Sequence, residues 1–327
     1  MDYGRLITRS FQVMWRYRAL WLFGILLALF GGGGANFNVG NYSFGDGDGR
    51  GGPGGIAPNL PPNFAELIVV IVAAAICIAL ILVVLSIIVR LLSRGALVGL
   101  VAELETDQTI PTVRRGFRIG ADRFKSLLGI ALLVNVPLFV VSFALIVIAA
   151  VPLIASLIPL IGAAGGRAPD ELIRVVIAGA FGSVLIFCCV IILLILVQLV
   201  IRPFYEFFVR ACVIAQRGAM DSIREGYRLV RANLGNTIVL YILLIGIEIG
   251  FGILMIPVGL ILIGIPVGIG IAIGIAMNSA VPGIIVGAII GIPMLLILLF
   301  VSGLFRVFES TYWTEGYLAM SAPPATA

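Results

Sequence analysis

The run IGFGILMIPVGLILIGIPVGIGIAIGIAMNSAVPGIIVGAIIGIPMLLILLFVSGLF, residues 249–305, extends for 57 residues without a single charge. A helix that crosses a bilayer needs about 20 mostly apolar residues. With Thr237–Glu248 in front of it, the run supplies two spans and a link. The spacing places them at about Thr237–Ile263 and Pro282–Phe305. Between them, Gly264–Val281 is rich in Gly and Pro, and the pattern fits an interfacial segment, a re-entrant segment or continued helix.

Four further apolar stretches lie upstream: Met14–Phe30, Glu66–Leu92, Ser126–Ala149 and Leu172–Val200. Pro152 and Pro159 are expected to break the pattern after the third of these. The reading is an all-α membrane protein with about six transmembrane helices in one bundle over residues 1–320. Composition agrees: of 327 residues 61% are apolar and 11% charged, and the mean hydropathy is +1.20. A soluble domain carries roughly a quarter charged residues, so lipid must be the solvent for most of this surface. The longest polar stretches, 31–64, 93–125 and 202–236, are too short to fold as separate soluble domains.

The net charge is +5, and its distribution sets the expected orientation. Eighteen of the 21 basic residues fall at the N-terminus, in residues 90–125, in residues 202–231 and at Arg306. The alternate loops hold Arg50, Arg167 and Arg174. Basic residues stay on the cytoplasmic side, and six spans return the chain to it. Both termini are expected there, in a multi-pass protein of a prokaryotic plasma membrane. No small-residue cleavage site follows the first stretch, so it is read as a retained span. Membrane topology explains the basic balance without a nucleic-acid partner.

Three polar segments share a pattern. Ile7-Thr8-Arg9-Ser10-Phe11-Gln12-Val13, Val113-Arg114-Arg115-Gly116-Phe117-Arg118-Ile119 and Ile223-Arg224-Glu225-Gly226-Tyr227-Arg228-Leu229 each read aliphatic, variable, charged, small, aromatic, polar, aliphatic. Each leads into an apolar stretch. Helical spacing sets Ile7, Phe11 and Met14 opposite Arg5, Arg9, Gln12 and Arg16. It likewise sets Val113 and Phe117 opposite Arg114 and Arg118, and Ile223, Tyr227 and Val230 opposite Arg224, Arg228 and Arg231. The expected architecture is three parallel repeats of amphipathic helix plus helical hairpin, about 1–92, 110–210 and 220–320. The basic faces can rest on anionic lipid headgroups or pack on the inner end of the bundle. The lipid reading names Arg9, Arg16, Arg114, Arg118, Arg224, Arg228 and Arg231.

Residues 31–64 hold most of the low-complexity sequence, with 12 glycines in 31–55, and read as a flexible exterior loop. Asp46-Gly47-Asp48-Gly49 lacks the later carboxylates of a calcium loop, so no metal is expected. Residues 321–327 read as a tail. The four cysteines, Cys77, Cys188, Cys189 and Cys212, lie outside the exterior loops and read as buried thiols without disulfides. Palmitoylation of Cys212 is the alternative.

The chain has no histidine. That excludes HExxH zinc sites, His-ligated haem and Ser–His nucleophiles. No phosphate loop or nucleophile elbow occurs, and no cofactor is expected. Glu248 is the candidate of most interest. Counted from Thr237 it lies roughly 16 Å deep, near the midplane, with Asn135 at similar depth and no basic residue level with it. It reads as a proton or cation site, or as a neutral acid hydrogen-bonded across a helix interface. Gly246 and Gly250 flank it at a spacing that lets another helix approach. Gly283, Gly287 and Gly291 form a second such stripe, for contact within or between subunits.

Two segments carry a resemblance: AMDSIREGYRLVRANLG at 219–235 and STYWTEGYL at 310–318. Both resemble uncharacterised prokaryotic multi-pass proteins related to the membrane domain attached to some glycerophosphodiester phosphodiesterases. The resemblance implies a membrane-embedded helical bundle without assigned catalysis, and it carries over no site residues. The sequence therefore points to a non-enzymatic scaffold or accessory subunit. Its expected partners are the bilayer, anionic lipid, and a second copy or another membrane protein. A proton- or cation-coupled transporter or channel using Glu248 is the alternative.

Overall fold

A computed structural model describes residues 2–30, 64–162 and 170–321. The glycine-rich loop with its Asp46–Gly49 run, and the tail from residue 322, lie outside them. The described chain forms eight helices: α1 (Tyr3–Arg16), α2 (Ala19–Phe30), α3 (Phe64–Asp107), α4 (Val113–Gly162), α5 (Asp170–Ile214), α6 (Ala219–Ala232), α7 (Leu234–Ala276) and α8 (Ala280–Ser321). Five of them, α3, α4, α5, α7 and α8, are long and apolar enough to cross a membrane. A sixth span would need α1 and α2 together.

That first span departs from expectation. Met14–Phe30 is not one straight helix, because α1 and α2 meet at 100°. Twelve residues of α2 reach only ~18 Å, short of a ~30 Å hydrocarbon core. The bend is held locally: the Trp21 indole donates to the Met14 carbonyl at 2.7 Å, satisfying an acceptor that the end of α1 leaves open.

One open sequence reading is decided and another is corrected. Gly264–Val281 is continued helix up to Ala276, followed by a tight turn. Helix α4 likewise runs through Pro152 and Pro159 to Gly162. The turns that close α3, α5 and α7 each use an amide side chain in the left-handed region, at Gln108, Gln216 and Asn278. There it ends the helix much as a C-terminal glycine does.

The long helices extend well past any bilayer. Each of the five contains an uncharged run: 67–89 on α3, 126–162 on α4, 175–201 on α5, 249–276 on α7 and 280–305 on α8. These runs measure from ~35 to ~55 Å. Beyond Arg90, Lys125, Arg202, Glu248 and Arg306 the same helices continue into charged sequence, and there they are packed. No more than 11% of the most apolar 18-residue window of any span is buried.

Two compact units account for the chain: Met1–Ile7, Asp122–Gly250 and Tyr312–Ala327 in one, Thr8–Ala121 and Phe251–Thr311 in the other. In the first unit, Trp313 is fully buried among Phe207 and Tyr241, with ring centroids 5.8 and 6.0 Å away. Tyr312 donates to the Leu240 carbonyl at 3.1 Å. In the second unit, α2 packs on α3, Phe23 meets Phe117 at 5.1 Å, and Leu97–Val101 is buried.

The buried face of the shared motif also differs from expectation. Ser10, Gly116 and Gly226 face the packed side, as do Met14, Gly120 and Val230 four residues later. The aromatic residues lie off it: Phe11 is 53% exposed, Phe117 42% and Tyr227 50%. At Gly116 a Cβ would meet the Phe23 ring at 2.6 Å, and at Gly226 the Phe208 ring at 2.6 Å. The small residues therefore set how closely the neighbouring helices approach.

Candidate functional site

Glu248 sits on α7 with 28 uncharged residues between it and the end of that helix at Ala276. That run alone reaches ~42 Å, enough to cross a bilayer. Glu248 itself lies inside the apolar helix Leu234–Ala276, as its fifteenth residue. It also has a basic partner, contrary to the sequence reading. Arg202 of α5 donates from Nη1 to Glu248 Oε2 at 2.8 Å and from Nη2 to Oε1. The bidentate fork is the strong form of a guanidinium–carboxylate pair. With side chains 35% and 22% exposed, the pair is half-buried.

Arg202 begins a ladder. Glu206 and Arg210 follow at four-residue intervals on the same face of α5. Arg210 donates to the Glu206 carboxylate at 2.6 Å and to the Glu206 carbonyl at 2.9 Å. The Arg210 side chain is 1% exposed. A buried guanidinium is tolerated because a carboxylate one turn away neutralises it. Sequence reading placed Arg202 and Arg210 in a solvated segment. The 202/206/210 spacing was the signal that they line one stripe.

Asn135, expected level with Glu248, is exposed on α4 and forms no hydrogen bond with it. A Cβ at Gly246 or Gly250 would meet nothing within 4 Å among the described residues, so these glycines do not admit a neighbouring helix as the spacing suggested. The other stripe behaves as expected and lies within the chain. A Cβ at Gly283 would approach the Gly274 nitrogen at 3.0 Å, and one at Gly287 the Pro266 carbonyl at 3.3 Å. Gly291 lies against the Pro266 ring.

The candidate lipid-contact arginines divide into two groups. Arg9 is held by Glu105 at 3.0 Å and Arg228 by Glu225 at 2.9 Å. Arg16, Arg114, Arg118, Arg224 and Arg231 are exposed, and none has an ion-pair partner among the described residues. Cys77, Cys188 and Cys189 are exposed on apolar helices, correcting the buried reading, while Cys212 is buried, which leaves no access for an acyl group. Among the described residues no three Cys, Asp or Glu side chains gather as metal ligands would.

One concave feature lies on α1. A groove of about 540 Å³ is lined by Arg9, Phe11, Gln12, Val13, Trp15, Arg16 and Tyr17. Helical spacing puts Arg9 and Arg16 on one side of α1, Phe11 and Trp15 on another, and Gln12 between them. Arg16 lies over the Tyr17 ring at 5.9 Å and Arg18 over Trp21 at 5.9 Å. Sequence reading gave Arg9 and Arg16 to headgroup contact and set Phe11 on the opposite, apolar face with Ile7 and Met14, without joining Trp15 to it.

No curated protein and no solved structure matches the chain. A family model does match, over residues 7–319, which take in the Arg202–Glu248 pair, the arginine ladder and the glycine stripe. The chain belongs to a family of unknown function, DUF7544.

Proposed function

We propose that this is a multi-pass membrane protein of a prokaryotic plasma membrane that serves as a non-enzymatic scaffold or accessory subunit. Both termini are cytoplasmic in this reading, which rests on the 18-to-3 division of basic residues between alternate segments. The packed ends of the helices then lie on the cytoplasmic side of the membrane, and their exposed arginines face anionic headgroups. The observation that carries the proposal is where the packing lies. The charged ends are built as cores, while the apolar windows stay almost unburied. A solute path would need polar groups converging within those windows. Glu248, the residue that best fitted such a role, is instead clasped by Arg202 at their edge.

Proton and monovalent-cation flux in proteoliposomes tests this. The wild-type protein is expected to show no flux above empty liposomes. Flux that is present in wild type and abolished by Glu248→Gln, at matched folding, overturns the scaffold reading in favour of an ion-coupled transporter.

A further inference from the structure

We propose that the groove on α1 is a binding site for one anionic phospholipid drawn from the adjoining leaflet. The inference rests on the membrane reading above and adds to it a place and a ligand class. Four observations combine. The groove is lined both by guanidinium groups, Arg9 and Arg16, and by aromatic rings, Phe11, Trp15 and Tyr17, which suits a molecule with a phosphate beside acyl chains. Arg16 and Arg18 have no carboxylate partner among the described residues, whereas Arg9 is already engaged by Glu105. Excess positive charge is therefore concentrated at the α1–α2 elbow.

The elbow also carries an unbroken aromatic row. Phe11 and Trp15 lie 6.3 Å apart, Trp15 and Trp21 6.3 Å, and Trp21 and Phe300 5.3 Å. Trp15 is 53% exposed. Indole rings collect at the level of lipid headgroups. Finally, α2 leaves the elbow as twelve residues with no charged side chain. From the elbow this apolar helix enters the hydrocarbon, so the elbow stands at the boundary. In this arrangement the phosphate meets Arg16, Gln12 and the nearby Arg18, and an acyl chain lies along Phe11 and Trp15.

The test reads Trp15 fluorescence in the full-length protein, reconstituted in vesicles of brominated lipid. The Trp15 component is taken as the difference between wild type and Trp15→Phe, which leaves the buried Trp313 in place. At equal mole fraction, brominated phosphatidylglycerol should quench this component more than brominated phosphatidylcholine does. That preference should fall by about fivefold for each arginine removed in Arg16→Gln and Arg18→Gln. Arg16→Lys should retain most of it, and inorganic phosphate at millimolar concentration should not compete. Equal quenching by the two lipids overturns the site but leaves the membrane reading intact. Competition by free phosphate assigns the groove to a soluble anion and overturns the lipid. No quenching of Trp15 by any brominated lipid removes α1 from the bilayer surface, and the inference fails with it.

Discussion

Arg202 and Glu248 each hold a charge that the other makes tolerable. Removing one partner strands its counterpart at a half-buried site, and that asymmetry gives a measurable sign. Glu248→Gln and Arg202→Gln should each destabilise the protein by about 1–2 kcal/mol, less than a fully buried pair would lose. The double substitution should cost less than the two single ones together, with a coupling of about 1 kcal/mol. Detergent-solubilised variants can be compared by unfolding midpoint. Strict additivity would mean that the fork contributes nothing. Sequence alone could identify Glu248 as a costly acid. It could not show the partner, because depth was counted from Thr237, which set Glu248 far from Arg202.

At the level of the helix, two kinds of glycine separate. Gly283 faces the backbone of α7, and its Cβ would fall on peptide atoms that cannot move aside as a side chain can. Gly283→Leu should therefore lower stability by roughly 2 kcal/mol or more, as overpacking does. Gly246→Ala and Gly250→Ala should be neutral or stabilising by up to about 1 kcal/mol, since a Cβ there meets nothing and alanine favours helix. Thermal midpoints of the three variants check the opposite signs. The spacing of all these glycines was legible in the sequence, but which stripe meets a neighbour depends on the hairpin turn at Met277–Ser279. That turn was hidden in a Gly/Pro-rich segment without a clear period. The elbow was hidden for a related reason: Met14–Phe30 is apolar enough to read as one span, and its bend depends on one indole reaching one carbonyl. In the shared motif, the apolar face read from the sequence ran through Phe11, Phe117 and Tyr227. Close helix approach favoured Ser10, Gly116 and Gly226 instead, because a small residue lets neighbouring atoms come nearest.

For the molecule as a whole, stability should be concentrated where the sequence is least hydrophobic. Trp313→Ala, at a fully buried ring, should cost about 3–5 kcal/mol. Phe139→Ala and Phe181→Ala, at side chains 69% and 74% exposed, should each cost under about 1 kcal/mol. Unfolding midpoints in one detergent would show the contrast, and equal losses would mean that the apolar windows hold the fold together. Hydropathy made the long helices legible, because runs such as 249–305 admit no other reading. It gave no hint of where they pack, since in lipid an apolar side chain gains little by leaving its solvent for a neighbouring helix.

The length of the uncharged runs has a consequence for the bilayer itself. At ~35 to ~55 Å they exceed the hydrocarbon thickness of ordinary membranes, ~27 to ~33 Å. A helix with such a surplus must lean, or thicken the lipid around it, to keep its ends wet. It can stand straighter in a thicker membrane and lean further in a thinner one while its first charged residue stays at the surface. Hydrophobic mismatch is thus absorbed by tilt, and the packed ends can keep their internal contacts in membranes of different thickness.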